Sequence, residues 1–143
     1  MNKSTWFLSA ILLALPLAVP AAHAQSVCNK LTDAEVAAAV GQPLQRSATD
    51  PCRFGKGFHN TFAIIMHTGQ GPGFTQYAAS SRQEFSDTKN VTGIGSEAIF
   101  FGGGNLAVHY KNDVIFIQMM VGKTPDEKLA YAKAVAQKLI GHM

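Results

Sequence analysis

The chain has 143 residues, 47% of them apolar and 15% charged, with a formal charge of +3. That length suits one domain, and the apolar share excludes a disordered chain. The basic residues are scattered without a cluster, so nucleic acid is not an expected partner.

Lys3 gives a short positive start, and residues 6–19 are almost wholly apolar. Ala22-His23-Ala24 then supplies the small-x-small pattern read by signal peptidase, with cleavage expected before Gln25. Residues 1–24 therefore read as a cleaved secretory signal peptide and residues 25–143 as a single domain. A membrane anchor would need roughly 20 apolar residues, and here Pro16 and Pro20 interrupt a shorter run, so no stable membrane insertion is expected after cleavage. Gln25-Ser26-Val27 before Cys28 is not the Leu-small-small run of lipid attachment. The expected location is periplasmic or secreted.

The two cysteines, Cys28 and Cys52, read in an oxidising compartment as one structural disulfide. A redox pair would want Cys-x-x-Cys, and a thiolate metal site more ligands.

In chain order, Thr32-x-x-Glu35 opens a helix as a capping box, and Gly41 with Pro43 beyond ends it. Residues 52–56 and 61–67 read as strands, with Gly55, Gly57 and Asn60 between them; the disulfide would staple the first helix to the first strand. Residues 69–73 (Gly-Gln-Gly-Pro-Gly) read as a flexible loop. Phe74, Tyr77, Ala78, Ser81 and Phe85 fall at helical spacing. Residues 86–92 read as polar and irregular. Residues 98–101, 106–111 and 114–121 then make three strands whose short turns require an antiparallel meander. Thr124, Pro125 and Glu127 start a last helix with a second capping box; Leu129, Ala132, Val135, Ala136 and Leu139 form its buried stripe, and Gly141 ends it. The expected fold is α+β, in the order α-β-β-α-β-β-β-α, with helices packed on an antiparallel sheet of about five strands.

Cys28 three residues before Leu31, then Thr32-x-x-Glu35-Val36, Val40-Gly41 and Cys52-x-Phe54, resembles the opening of a family of small secreted bacterial proteins of unknown function that includes many actinobacterial lipoproteins. Residues 91–98 (Val-x-Gly-Ile-Gly-Ser-Glu-Ala), a strand pair and a capped terminal helix are similar too. The resemblance covers most of the chain beyond residue 24, and it departs from the lipoproteins in lacking their lipid-attachment cysteine. It implies a compact α+β fold with one disulfide and supplies no catalytic residues.

Residues 93–98 match G-x-G-x-x-A, but a polar loop precedes and an apolar strand follows, the reverse of a dinucleotide site. The 69–73 glycines lack the Gly-Lys-Ser/Thr ending of a phosphate loop. No nucleophile elbow, zinc-protease motif or paired carboxylate stands out, so no catalytic residue and no cofactor is expected. His67 and His109, on two strands, are weak metal candidates, since imidazole and thioether suit copper; Met66 alternates away from His67, and strand methionines usually fill cores.

The last strand is apolar on both faces, where an antiparallel sheet usually wets one. Either helices cover both sides or one face meets a partner. The expected function is a non-catalytic accessory or inhibitor module that binds another envelope protein, with a homodimer also open. The alternative is a periplasmic carrier of a small apolar ligand or metal ion. The surface expected to bind joins Gly69, Gly71 and Gly73 to Phe74, Tyr77 and Phe85 on the helix and to Gly93 and Gly95 in the turn.

Overall fold

A computed structural model describes residues 20–143. Most of the expected signal segment, residues 1–19, lies outside the described residues. Two helices, α1 (Pro20–Cys28) and α2 (Asp33–Val40), precede the sheet. Strands β1 (Arg53–Gly55) and β2 (Thr61–His67) follow, then a 3-10 turn (Gly71–Gly73) and α3 (Phe74–Glu84). After them come β3 (Lys89–Asn90), β4 (Glu97–Phe101), β5 (Asn105–Tyr110), β6 (Asp113–Met119) and the terminal helix α4 (Pro125–Gly141).

The sheet has six strands in the order β1-β2-β6-β5-β4-β3, every neighbour antiparallel. The α+β class and the closing meander match the sequence reading; the strand count is one higher. The extra strand, β3, lies in the segment expected to be irregular. It pairs Lys89 with Phe100 and Asn90 with Ile99, and two residues are too few to show a strand period. Asp87 anchors this segment, its carboxylate accepting from the amides of Gly102 (2.9 Å) and Gly103 (2.7 Å) in the β4–β5 turn.

Helix α2 forms as its sequence dictates. Thr32 Oγ1 accepts from the Glu35 amide at 3.1 Å, Glu35 Oε2 accepts from the Thr32 amide at 2.8 Å, and Gly41 closes the helix at φ 70°, a conformation costly for other residues. In α4, Thr124 Oγ1 caps Glu127 at 3.2 Å, but the Glu127 carboxylate reaches one residue further back, to the Lys123 amide at 2.7 Å. The expected second capping box is therefore half-formed. Gly141 is the last helical residue and His142 the cap.

Helix α1 spans the anticipated cleavage point after Ala24. Its last residue, Cys28, is bonded to Cys52 with Cα atoms 5.2 Å apart. The disulfide thus ties the end of α1, rather than α2, to the residue before β1.

Alternation along the strands divides the core. On one face Phe62, Ile64, Leu106, Val108, Ile115 and Ile117 pack with Val36 and Val40 of α2 and with Ala132, Val135 and Leu139 of α4. On the other face Phe74 and Ala78 of α3 pack with Ile99, Phe101, Ala107 and Val114. Among the described residues three helices serve the first face and a single helix the second. That imbalance sets up the site.

Candidate functional site

Helix α3 covers only part of its face. Its buried partners lie on β4, on β5 and at the Val114 end of β6. In register across β2 and β6, the same face continues as His67 opposite Val114, Ile65 opposite Phe116 and Ala63 opposite Gln118. In this strip Val114 and Ala63 are buried and Phe116 half-buried, while His67, Ile65 and Gln118 are exposed. Ile65 and Met120 are each 40% exposed, Tyr77 39% and Phe58 87%.

The strip is a trough with a hollow at each end. A groove of about 380 Å³ has Val114 and Phe116 as floor, Phe74 and Tyr77 as wall, and His67 and Gln70 at its rim. A second, of about 430 Å³, lies at the β1–β2 end between Arg53, Phe58, Ala63, Gln118 and Met120. Phe116 lines the first, and Ile65 lies opposite it in register. Exposed apolar groups gathered on one sheet face are a mark of interaction sites.

The wall of the first groove is built from packed rings. Phe74 is stacked on His109 with ring centroids 5.6 Å apart; Tyr77 meets Phe101 edge-on at 6.1 Å, and Phe101 meets Phe116 at 6.0 Å. Partial burial in this groove is the main cause raising the Tyr77 phenol above its ordinary value of 10, opposed by Ser81 and reinforced by the charge of Glu84.

The residues singled out from sequence come together only in part. Tyr77 is partly exposed beside Gly73 and Gln70. Phe74 is buried and Phe85 half-buried, so neither ring is free to insert into a partner. Gly69 keeps its amide on Asp113 Oδ1 at 2.9 Å. Gly71 is buried, its amide donating to Asn112 O at 2.9 Å, and a Cβ there would meet His109 Nε2 at 2.7 Å. The expected flexible loop is thus an ordered turn pinned to the β5–β6 hairpin. Gly93 faces the Lys133 ammonium of α4, away from the trough, and Gly95 packs on the backbone of His109. The 93–98 glycines lead into β4, a strand.

His67 and His109 both pair with Val114, from opposite sides, and so share the face. His109 is held by Phe74; its Nδ1 lies 3.7 Å from Glu97 Oε2, beyond hydrogen-bond reach, with no other partner. Met66 is buried on the opposite face. Among the described residues no three His, Cys, Asp or Glu side chains converge, and no helix is long and apolar enough to cross a membrane.

Ile65, Phe116, Met120 and Phe58 were not named as site residues. The two-faced apolar pattern of the last strand was the available signal for Phe116 and Met120. Phe58, an aromatic inside a turn rich in glycine and asparagine, was a second.

No protein-family model matches the chain, and neither does any curated protein or solved structure.

Proposed function

We propose that this is a non-catalytic protein of the bacterial envelope, exported and freed of residues 1–24, that binds another protein as an accessory subunit or inhibitor. The trough carries this reading: exposed Ile65, Met120, Phe58 and Tyr77 on one sheet face, beside packed aromatic rings, have the composition of an interface core. The Cys28–Cys52 bond fits an oxidising compartment, as does the resemblance to small secreted bacterial proteins. Photo-crosslinking from Met120, compared with Thr75 on the exposed side of α3, tests it. A protein adduct of defined mass from Met120 alone is expected; equal labelling from both positions, or none, refutes it.

One observation favours a second reading. The Tyr77 groove, about 380 Å³ with an apolar floor and a few polar rim groups, has the size and lining of a small-molecule site. A carrier would leave native mass spectrometry with a constant adduct of small mass, lost when Phe116→Trp fills the groove.

A further inference from the structure

We infer that the Ala24–Gln25 bond is open to signal peptidase only before the domain folds, because folding shuts that bond inside α1 and fastens α1 to the core. A chain that folds first keeps residues 1–24. This rests on the reading of those residues as a cleaved signal and adds the order of two reactions, hydrolysis first and thiol oxidation second.

Helix α1 runs from Pro20 to Cys28, so the scissile bond lies in its interior. The helical register commits the Ala24 carbonyl to the Cys28 amide. Cys52 Sγ packs 3.4 Å from the same oxygen. Beyond the bond, Gln25 O accepts from the Asn29 amide at 3.0 Å; before it, His23 O accepts from Ser26 Oγ at 2.9 Å. A peptidase has to bring a nucleophile to the Ala24 carbonyl carbon and hydrogen-bond donors to its oxygen. In α1 that oxygen is already bonded and covered.

A helix of nine residues is too short to persist by itself, so packing is what holds it. Ala24 lies against the main core, and Val27 and Cys28 are buried in it. Cys28 is bonded to Cys52, and Cys28 O accepts from Arg46 Nη1 at 2.8 Å. Fraying of the first turn does not release the bond. From Ala24 to Cys28 the chain, fully extended, spans about 14 Å, against a diameter of about 30 Å for a small domain. The folded body would stand against the enzyme even with α1 unwound.

Hydrolysis adds one water across the bond, leaving the Ala24 carboxylate on the released segment and the Gln25 ammonium on the domain. Oxidation of the Cys28 and Cys52 thiols passes two electrons and two protons to a thiol oxidant of the envelope. That second reaction completes the lock.

The test uses the 143-residue chain, a signal peptidase in detergent and mass spectrometry of the products. Three forms are compared: the oxidised parent, an Ile64→Asp chain kept reduced, and an oxidised chain with about six Gly and Ser residues inserted between Ser26 and Val27. A carboxylate in the main core leaves the second form unfolded. The third keeps the Cys28–Cys52 bond and sets the scissile bond free of the domain. The second and third are expected to yield a product beginning at Gln25 at least about tenfold faster than the parent, whose bond is reached only through rare opening. A parent cut as fast as the Ile64→Asp chain overturns the inference and leaves the cleaved-signal reading standing. A linker form as resistant as the parent overturns it too, since anchoring at Val27 and Cys28 would then not be the obstacle. If no form is cut after Ala24, the cleaved-signal reading falls and the inference with it.

Discussion

Arg46 shows how much a single side chain organises. It lies in a loop where it makes a lone antiparallel bridge to Phe54; its Nη1 donates to Cys28 O at 2.8 Å and to Pro51 O at 2.9 Å, and its Nη2 donates to Leu31 O. The guanidinium carbon stands 4.5 Å from the centre of the Phe54 ring. One fork thus joins the end of α1, the start of α2 and the approach to β1. Arg46→Met should cost about 2–4 kcal/mol in urea unfolding, because three carbonyls lose a charged donor. Arg46→Lys should recover only part of that, since an ammonium is not a planar fork. Gly95 is a second such point: its φ is 61°, and a Cβ would meet Val108 Cγ1 at 2.6 Å as well as His109 O. Gly95→Ala should cost about 2–3 kcal/mol, whereas Gly73→Ala, with open space around it, should stay within about 0.5 kcal/mol. Neither role of Arg46 was legible, because its partners are carbonyls distant in sequence and a carbonyl leaves no mark on residue identity. Tyr77 was legible, because helical spacing put an aromatic at the margin of the buried stripe.

Elements with local chemistry were read closely: Thr32 and Glu35 fixed one helix start, Pro125 the other, and β2 came out with its bounds intact. Strand β3 was missed because its sequence is a polar run and tertiary pairing decides it. The helices are also tied to each other. Glu35 at the start of α2 lies 3.1 Å from His142 Nε2 just after α4. The Thr32 amide first, and His142 second, hold the Glu35 carboxyl below its ordinary value of 4.5. A lowered folded-state value contributes stability that is fully present above 4.5 and is lost as pH falls through the folded value. Urea midpoints measured between pH 7 and 3 should therefore fall on the acid side less steeply for Glu35→Gln than for the parent, the two curves converging at the lowest pH. The disulfide acts on the same corner. With a sequence separation of 24, replacing both cysteines by alanine should cost about 3 kcal/mol and lower Tm by roughly 10–15 °C. Coincident near- and far-ultraviolet melts would show that the domain still unfolds as one unit.

At the scale of the whole molecule, the larger core and the exposed apolar strip sit on opposite faces of one sheet. Helices α1, α2 and α4 serve one face, and the buried side chains there form the larger core. The other face has a small core under α3 and then the trough. Ile64 and Ile65 are adjacent in β2 and identical in chemistry, yet alternation sends them to opposite faces. Ile64 is 3% exposed in the main core, opposite Ile117; Ile65 is 40% exposed in the trough, opposite Phe116. Truncating a buried isoleucine removes its transfer energy and leaves a cavity, whereas truncating a half-exposed one removes little of either. Ile64→Ala should therefore cost about 2–4 kcal/mol in urea unfolding and Ile65→Ala less than about 1 kcal/mol. Binding should reverse the order. Ile65→Ala should weaken capture of the partner at the trough, while Ile64→Ala, assayed well below its lowered Tm, should bind as the parent does. Equal losses of stability from the two substitutions would mean that the β2–β6 strip is covered in solution, and the trough would then not be the site.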